Sequence, residues 1–260
     1  MKRKNAGARA AAGRSAVKPA DSRQRKFKAP KAAADGTLTD RAYQQLEELI
    51  VTLELPPGSV LTEQILSQRL AIGRTPIREA LHRLSREGLV LVFPRRGVFV
   101  SEINVGKQLQ LLEVRREIER LLARLAAERA TDAMRRTFQE IADGIMKSAR
   151  DSDEIEFGRL DQRLNVLEWK AAGNEYATKA IMLMNGLSRR FWFQHFREAG
   201  DLPLAAKVHA DLATAIARAN PVAAANASDE LIDYIESFAR KTVQGSKVAS
   251  TGEMRVSSNS

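Results

Sequence analysis

The chain has 260 residues, 44% of them hydrophobic, and a formal net charge of +10, which is enough apolar material for one large or two smaller buried cores. It contains no cysteine, and this excludes disulfides, thiol nucleophiles and cysteine-ligated zinc or iron–sulfur sites. No apolar run approaches the roughly 18 to 20 residues that a membrane-spanning helix requires, so a soluble protein without a membrane partner is expected.

The charge is unevenly placed. Residues 1–36 hold eleven Lys or Arg against two Asp, a net of +9, and the remaining 224 residues sum to only +1. This Ala-, Lys-, Arg- and Ser-rich stretch has no apolar periodicity and no signal-like apolar run, so a disordered basic tail on a cytoplasmic chain is expected. Its functional alternative is an electrostatic arm that adds salt-sensitive affinity for DNA.

From Thr37 to Leu53 the pattern is amphipathic. Leu38, Ala42, Leu46, Leu49, Ile50 and Leu53 share one face, Asp40, Glu47 and Glu48 the other, and Thr39 is the candidate cap. Pro56-Pro57-Gly58 makes a rigid turn. Ile65, Leu66 and Leu70 predict a short second helix that Ala71-Ile72-Gly73 breaks, and a third helix follows with Thr75 as N-cap and Pro76 at its first position. Within it Ile77, Ala80, Leu81 and Leu84 repeat at helical spacing towards a core, which turns Arg74, Arg78, His82 and Arg83 outward or towards the helix tip; Gly88 ends it.

The period then changes. Leu89 to Phe93 and Gly97 to Ser101 are β-rich runs around Pro94-Arg95-Arg96, a hairpin with an arginine-loaded tip. Helix, turn, helix and basic hairpin form a winged helix-turn-helix. Such a unit can place its exposed second helix in the major groove of double-stranded DNA while arginines at its tip and on the wing meet base edges and phosphates.

A polar connector, Glu102 to Gly106, leads into six segments of helical period at 109–130, 133–149, 155–172, 176–196, 202–219 and 222–243. Ala172-Gly173-Asn174, Gly200-Asp201 and Asn220-Pro221 punctuate them. The fold class expected is mainly α. An N-terminal winged helix-turn-helix (three helices plus a β-hairpin, residues 37–102) precedes an all-α antiparallel helical bundle (residues 106–243), and residues 244–260 are expected to be a disordered tail.

These residues resemble a family. Leu61-Thr62-Glu63, Gly73-Arg74-Thr75-Pro76-Ile77-Arg78-Glu79-Ala80-Leu81, Arg83-Leu84, Glu87-Gly88-Leu89-Val90 and Arg95-Arg96-Gly97-Val98-Phe99-Val100 agree in order, spacing and type with GntR-family transcriptional regulators. The bundle is similar to the effector-binding domain, called FCD, of the FadR-like branch. Glu113-Val114-Arg115, Ile118-Glu119, Leu125-Ala126-Ala127-Glu128-Arg129-Ala130, Asp161 with Asn165, Gly173-Asn174, Val208-His209 and the run from Asn220 to Tyr234 carry that likeness. The resemblance implies a homodimer on a palindromic operator, a small-molecule effector such as an organic acid, and repression as the commoner outcome.

The DNA-facing residues divide by chemistry. Arg74 and Arg78, four apart at the start of the recognition helix, are the candidate base readers; a bidentate arginine on guanine is worth about 1 to 3 kcal/mol of discrimination. Thr62 and Thr75, near helix starts, suit phosphate oxygens. The resemblance adds Gln64 as a contact, places Arg95 and Arg96 on backbone or minor groove, and leaves Gly97 to the turn. Glu79 would repel phosphate, so an ion pair with an arginine or a cap within the domain is its expected role.

Many FCD domains hold a divalent metal through an Asp, a His four residues later and two further histidines. Asp161 and His209 match, but Asn165 stands one turn after Asp161 and the last helix has no histidine. Two good donors fall short of a usual site, so no cofactor is expected and a metal only if a degenerate site persists at Asp161 and His209. A metal-free polar pocket around Asp161, Asn165 and His209 is the reading preferred, with satisfied core polar groups as the alternative. Arg115 is the cation the resemblance offers for a carboxylate, or else an ion-pair partner of Glu119 one turn on. Arg189 and Arg190 precede Phe191-Trp192-Phe193. That helix lines the pocket by resemblance or is a core aromatic cluster by composition, the core role being expected for at least two of the three rings.

The three histidines, His82, His195 and His209, form no recognisable pair with a nucleophile, and no P-loop, dinucleotide fingerprint or zinc-protease motif is present. The sequence therefore reads as a nucleoid-associated, sequence-specific regulator and not an enzyme. The alternative is a non-specific architectural DNA-binding protein that uses the basic tail.

Overall fold

The structure, a computed structural model, describes residues 36–256 and, within them, every side chain except those of 197–199 and 243–256. The expected basic tail therefore lies outside the described residues but for Gly36, as do residues 257–260.

Helix α1 (Leu38–Val51) opens with a reciprocal cap: the Thr37 hydroxyl accepts from the Asp40 amide and the Asp40 carboxylate from the Thr37 amide, both at 3.1 Å. The cap is thus Thr37 and not Thr39, whose hydroxyl donates instead to Glu79 of the third helix at 2.5 Å. A two-residue strand, β1 (Val60–Leu61), comes before α2 (Glu63–Leu70) and α3 (Arg74–Arg86). Helix α3 begins earlier than the sequence suggests, with Gly73 as N-cap, so Pro76 is its third residue. That position is tolerated because the first four helical amides have no intrahelical acceptor.

Strands β2 (Val90–Phe93) and β3 (Gly97–Val100) form the wing, and β1 pairs with β3 on its other edge to give a three-stranded antiparallel sheet in the order β1-β3-β2. Two residues are too short to show a period, which is why β1 is invisible in the sequence pattern. In the β2–β3 turn Arg95 and Gly97 both have positive φ, of 63° and 104°. Leu46, Ile50, Ile77, Leu84 and Leu89 are fully buried and knit α1, α3 and the sheet into one core.

Six longer helices follow: α4 (Val105–Arg129), α5 (Asp132–Arg150), α6 (Glu154–Ala172), α7 (Glu175–Ala199), α8 (Leu202–Ala217) and α9 (Pro221–Val256). Their breaks fall where a short polar side chain can cap a first turn: Asn104, Thr131, Asp153, Asn174 and Asp201 each accept from an amide at the start of the helix behind them. Leu122, Phe138, Ile141, Ile145, Ala213 and Ile216 are wholly buried at the centre of the bundle. Helix α9 runs past 243, where an aperiodic tail was expected. The apolar period lapses there, but no proline interrupts the backbone ladder and glycines only weaken it. No described helix is long and apolar enough to cross a membrane.

The two units meet along α7. A Cβ at Gly186 would lie 2.8 Å from Cδ1 of Leu89, so the absence of a side chain there lets α7 approach the wing, and Leu187 packs against the winged-helix core.

Candidate functional site

The exposed end of α3 carries the arginines that the sequence singles out. Arg74 is exposed at its first position and makes no ion pair or hydrogen bond among the described residues. Arg78, one turn on, is also exposed, but its fork is held by Glu63 of α2, Nε to Oε1 at 2.7 Å and Nη2 to Oε2 at 2.8 Å. The hydrogen bond from Arg78 keeps the Glu63 carboxyl below its usual range. Arg78 is therefore held in place by Glu63, and its fork meets any other acceptor only when that pair opens.

Thr62 caps α2, accepting from the Ile65 amide at 3.3 Å, and is exposed; Gln64 and Thr75 are exposed beside it on α2 and α3. Arg95, Arg96 and Gly97 stand exposed on the wing turn. Of the two roles expected for Glu79, an arginine pair or a cap within the domain, neither is seen among the described residues. Glu79 accepts from Thr39, so it ties α3 to α1.

The bundle contains a cavity of about 650 Å³, and Arg115, Asp161, Asn165, Arg189 and His209 all line it. Asp161 Oδ1 accepts from Asn165 Nδ2 at 3.0 Å and faces His209 Nε2 at 3.3 Å, while His209 Nδ1 donates to the Ala205 carbonyl at 2.7 Å. The imidazole stands edge-on to Phe157, ring centroids 5.3 Å apart. Burial works against both charges, but the pair's mutual hydrogen bond and attraction outweigh it: His209 is raised above its usual pKa, and Asp161, helped by Arg189 and Arg115, is lowered.

Arg115 is not a bare cation. It is buried with Glu119 in an ion pair closed by Nε to Oε1 at 2.7 Å and a second, shorter contact from Nη2 to the same oxygen. Close to this pair in charge, though outside the cavity wall, is Glu168, 3% exposed, whose Oε1 has no partner among the described residues. Burial and then the charge of Glu119 push its pKa well up. Its only local sign in the sequence is a glutamate among Leu164, Ala171 and Ala172 on a buried helix face.

The consecutive arginines of α7 point to different places. Arg189 faces the cavity and reaches α1, with Nη1 3.4 Å from Glu47 and Nη2 3.2 Å from Glu48. Arg190 is 2% exposed and donates to the Ser101 carbonyl at 2.9 Å and the Ser101 hydroxyl at 3.0 Å, pinning the connector between the units. Phe191 is buried against Phe238 as a core ring; Trp192 packs on Phe238 and Tyr234 but also lines the cavity; Phe193 lines it and is 41% exposed. The core role thus belongs wholly to Phe191 and in part to Trp192.

The donor set does not fit a divalent metal. Both ring nitrogens of His209 are engaged, Asp161 and His209 are its two good ligands, and no group of three or more His, Asp or Glu side chains is placed to hold a metal among the described residues. The cavity wall extends beyond the bundle, because Glu48, Val51 and Thr52 of α1 and its C-cap form part of it.

Residues 38–100 match the bacterial regulatory proteins of the gntR family, and residues 110–234 match the FCD domain. The chain is 34% identical over 142 residues to an uncharacterized HTH-type transcriptional regulator in an unstable DNA locus of Streptomyces ambofaciens, a match covering 53% of this chain and 58% of that one. It is 23% identical over 207 residues to the HTH-type transcriptional repressor RspR of Escherichia coli (strain K12), covering 80% of this chain and 91% of that one. Among solved structures, E. coli McbR/YncC has the same fold, with a TM-score of 0.68 at 18% identity over 80% of this chain and 99% of that one.

Proposed function

The chain belongs to the gntR family as a transcriptional regulator with a DNA-binding winged helix and an FCD domain, and from that premise we propose that it is a repressor that binds a palindromic operator as a homodimer and answers to a small organic acid. In this reading residues 37–102 bind DNA and residues 106–243 bind the effector and dimerise. Arg74 and Arg78 read bases in each half-site, while Thr62, Gln64, Thr75, Arg95 and Arg96 hold the backbone.

The observation that carries the reading is the shared wall of the cavity. A ligand in it touches α1 of the DNA-binding unit as well as five helices of the bundle, so its binding energy differs between arrangements of the two units. Four carboxylates and three arginines line the cavity, so an anionic ligand is held by taking an arginine from its carboxylate partner, and without a metal because the donors for one are too few.

The test is selection of bound duplexes from a random DNA pool, run with and without residues 1–36. Enrichment of one short palindrome by the full-length and the shortened chain is expected, and that duplex is the probe for an effector screen against small carboxylates. No enrichment, with affinity that vanishes when the tail is removed, would replace this reading with a polycation that binds DNA regardless of sequence.

A further inference from the structure

The arginines that line the cavity have different partners. Arg115 pairs with Glu119 on its own helix, and Arg159 pairs with Glu156 on its own helix. Arg189 alone among the described lining arginines is bonded across the domain boundary, to Glu47 and Glu48 of α1, and Glu48 itself lines the cavity. The two contacts, at 3.4 and 3.2 Å, are single ones to separate carboxylates. A planar guanidinium binds one carboxylate better through a parallel fork, so a ligand carboxylate in the cavity offers Arg189 a partner of the same charge and better geometry.

What Arg189 holds is coupled to the recognition helix. Besides its buried packing on α3, α1 is tied to α3 and its C-terminal end by four polar contacts: Thr39 to Glu79 at 2.5 Å, Tyr43 to Glu87 at 2.9 Å, Arg83 to Asp40 at 3.6 Å, and the Arg83 guanidinium stacked 3.6 Å over the Tyr43 ring. Release of α1 therefore moves Arg74 and Arg78 with it. Arg190 behaves differently although it is the next residue. Its acceptors are the carbonyl and hydroxyl of Ser101 and, at 3.5 Å, the carbonyl of Glu102; it is buried, and it lies outside the cavity wall.

From this geometry we infer that Arg189 is the latch between ligand and DNA: a carboxylate ligand takes it from Glu47 and Glu48 and frees the winged helix to swing about the point that Arg190 pins. This rests on the proposed reading of the cavity as the effector site and adds the device by which occupancy is passed on. It places the switch in a pair of half-buried contacts and not in the more deeply buried Arg115–Glu119 pair.

The latch can be opened without knowing the ligand. Because the chain has no cysteine, Gln68→Cys on α2 and Tyr176→Cys on α7, both exposed, give a unique spin-label pair across the domain boundary. In full-length protein diluted with unlabelled chain, pulsed dipolar spectroscopy should give a narrow distance distribution. Arg189→Gln should at least double its width, and so should Glu47→Gln with Glu48→Gln, which opens the latch from the other side. Arg124→Gln, which breaks an exposed pair within α4, should leave it unchanged. On unlabelled protein, both latch variants should bind the selected duplex about 5-fold or more weakly, the lower end of ordinary allosteric coupling. Width and affinity within twofold of the parent for both latch variants, with unaltered melting, would overturn the inference. If the parent enriches no duplex, the regulatory reading fails, and the distance measurement still decides whether the latch exists.

Discussion

The DNA-facing side of the winged helix and the centre of the bundle hold charge in opposite ways. Arg74, Arg78, Arg95 and Arg96 of the winged helix are all exposed, and the partner that orients Arg78, Glu63, sits on the same surface. In the bundle Arg115, Glu119, Glu168, Arg190 and His209 are each 9% exposed or less. An exposed ion pair adds little to stability and is easily exchanged, so such an arginine is available to a phosphate or a base. A buried charged group must be bonded in place, and it becomes part of the fold before it can serve any ligand. Substitutions in the first set should change what the protein binds, and in the second whether it stays folded.

The largest effect expected is from Arg190→Ala. It leaves the Ser101 carbonyl and hydroxyl without their donor and empties the space of a large buried side chain, which together should lower stability by about 2 to 4 kcal/mol in urea unfolding. Burial lowers the Arg190 pKa to about 10, so the side chain is still charged at neutral pH and the loss is that of a charged donor. A loss below about 0.5 kcal/mol would break the contrast between the two units.

Arg78→Ala should do the reverse. Stability should stay within about 0.5 kcal/mol of the parent, while competition between selected and random duplexes shows about 1 to 3 kcal/mol less discrimination. Arg96→Ala is the milder change: affinity for both duplexes should fall together, with a salt slope lower by about one counterion. Equal losses on the two duplexes for both variants would erase the division between base reader and backbone contact.

The same contrast governs what could be read from the sequence. Ile77, Ala80, Leu81, Leu84, Gly88 and the Pro94-Arg95-Arg96 turn are signals confined to a few residues, so α3 and the wing are legible, and only details such as the Thr37 cap and the two-residue β1 escape. The cavity residues Arg115, Asp161, Asn165, Arg189 and His209 are found by resemblance, which points to positions but not to partners. Arg189 meets Glu47 across 142 positions and Arg190 meets Ser101 across 89, and neither helix shows by its own period that its arginine will be spoken for. Glu168 is harder still, because its consequence comes from burial beside Glu119, which is a property of packing alone.

The smallest effects concern protons, and they separate the buried groups from one another. The raised pKa of His209 means that its contribution to stability is complete below its ordinary value of about 6.5 and fades as pH rises through the folded value. Asp161, lowered, contributes above its ordinary value of about 3.9, and that contribution fades as pH falls through the folded value. Together they favour the folded state most between about pH 4 and about pH 6.5. Glu168, raised, acts in the same direction as His209 and opposite to Asp161: the folded state holds its proton more tightly, so its influence declines as pH climbs from about 4.5 towards the folded value. Melting curves from pH 4 to pH 8 should therefore lose their fall at the alkaline end partly in His209→Gln and partly in Glu168→Gln. Glu168→Gln should melt higher than the parent at pH 7.5, because it replaces a buried acid with a neutral group of the same shape, whereas His209→Gln should melt lower at pH 5.5, where the pair with Asp161 is complete. If both variants shift melting equally at every pH, Asp161, His209 and Glu168 act only through their packing, and the charges around the cavity do not titrate with folding.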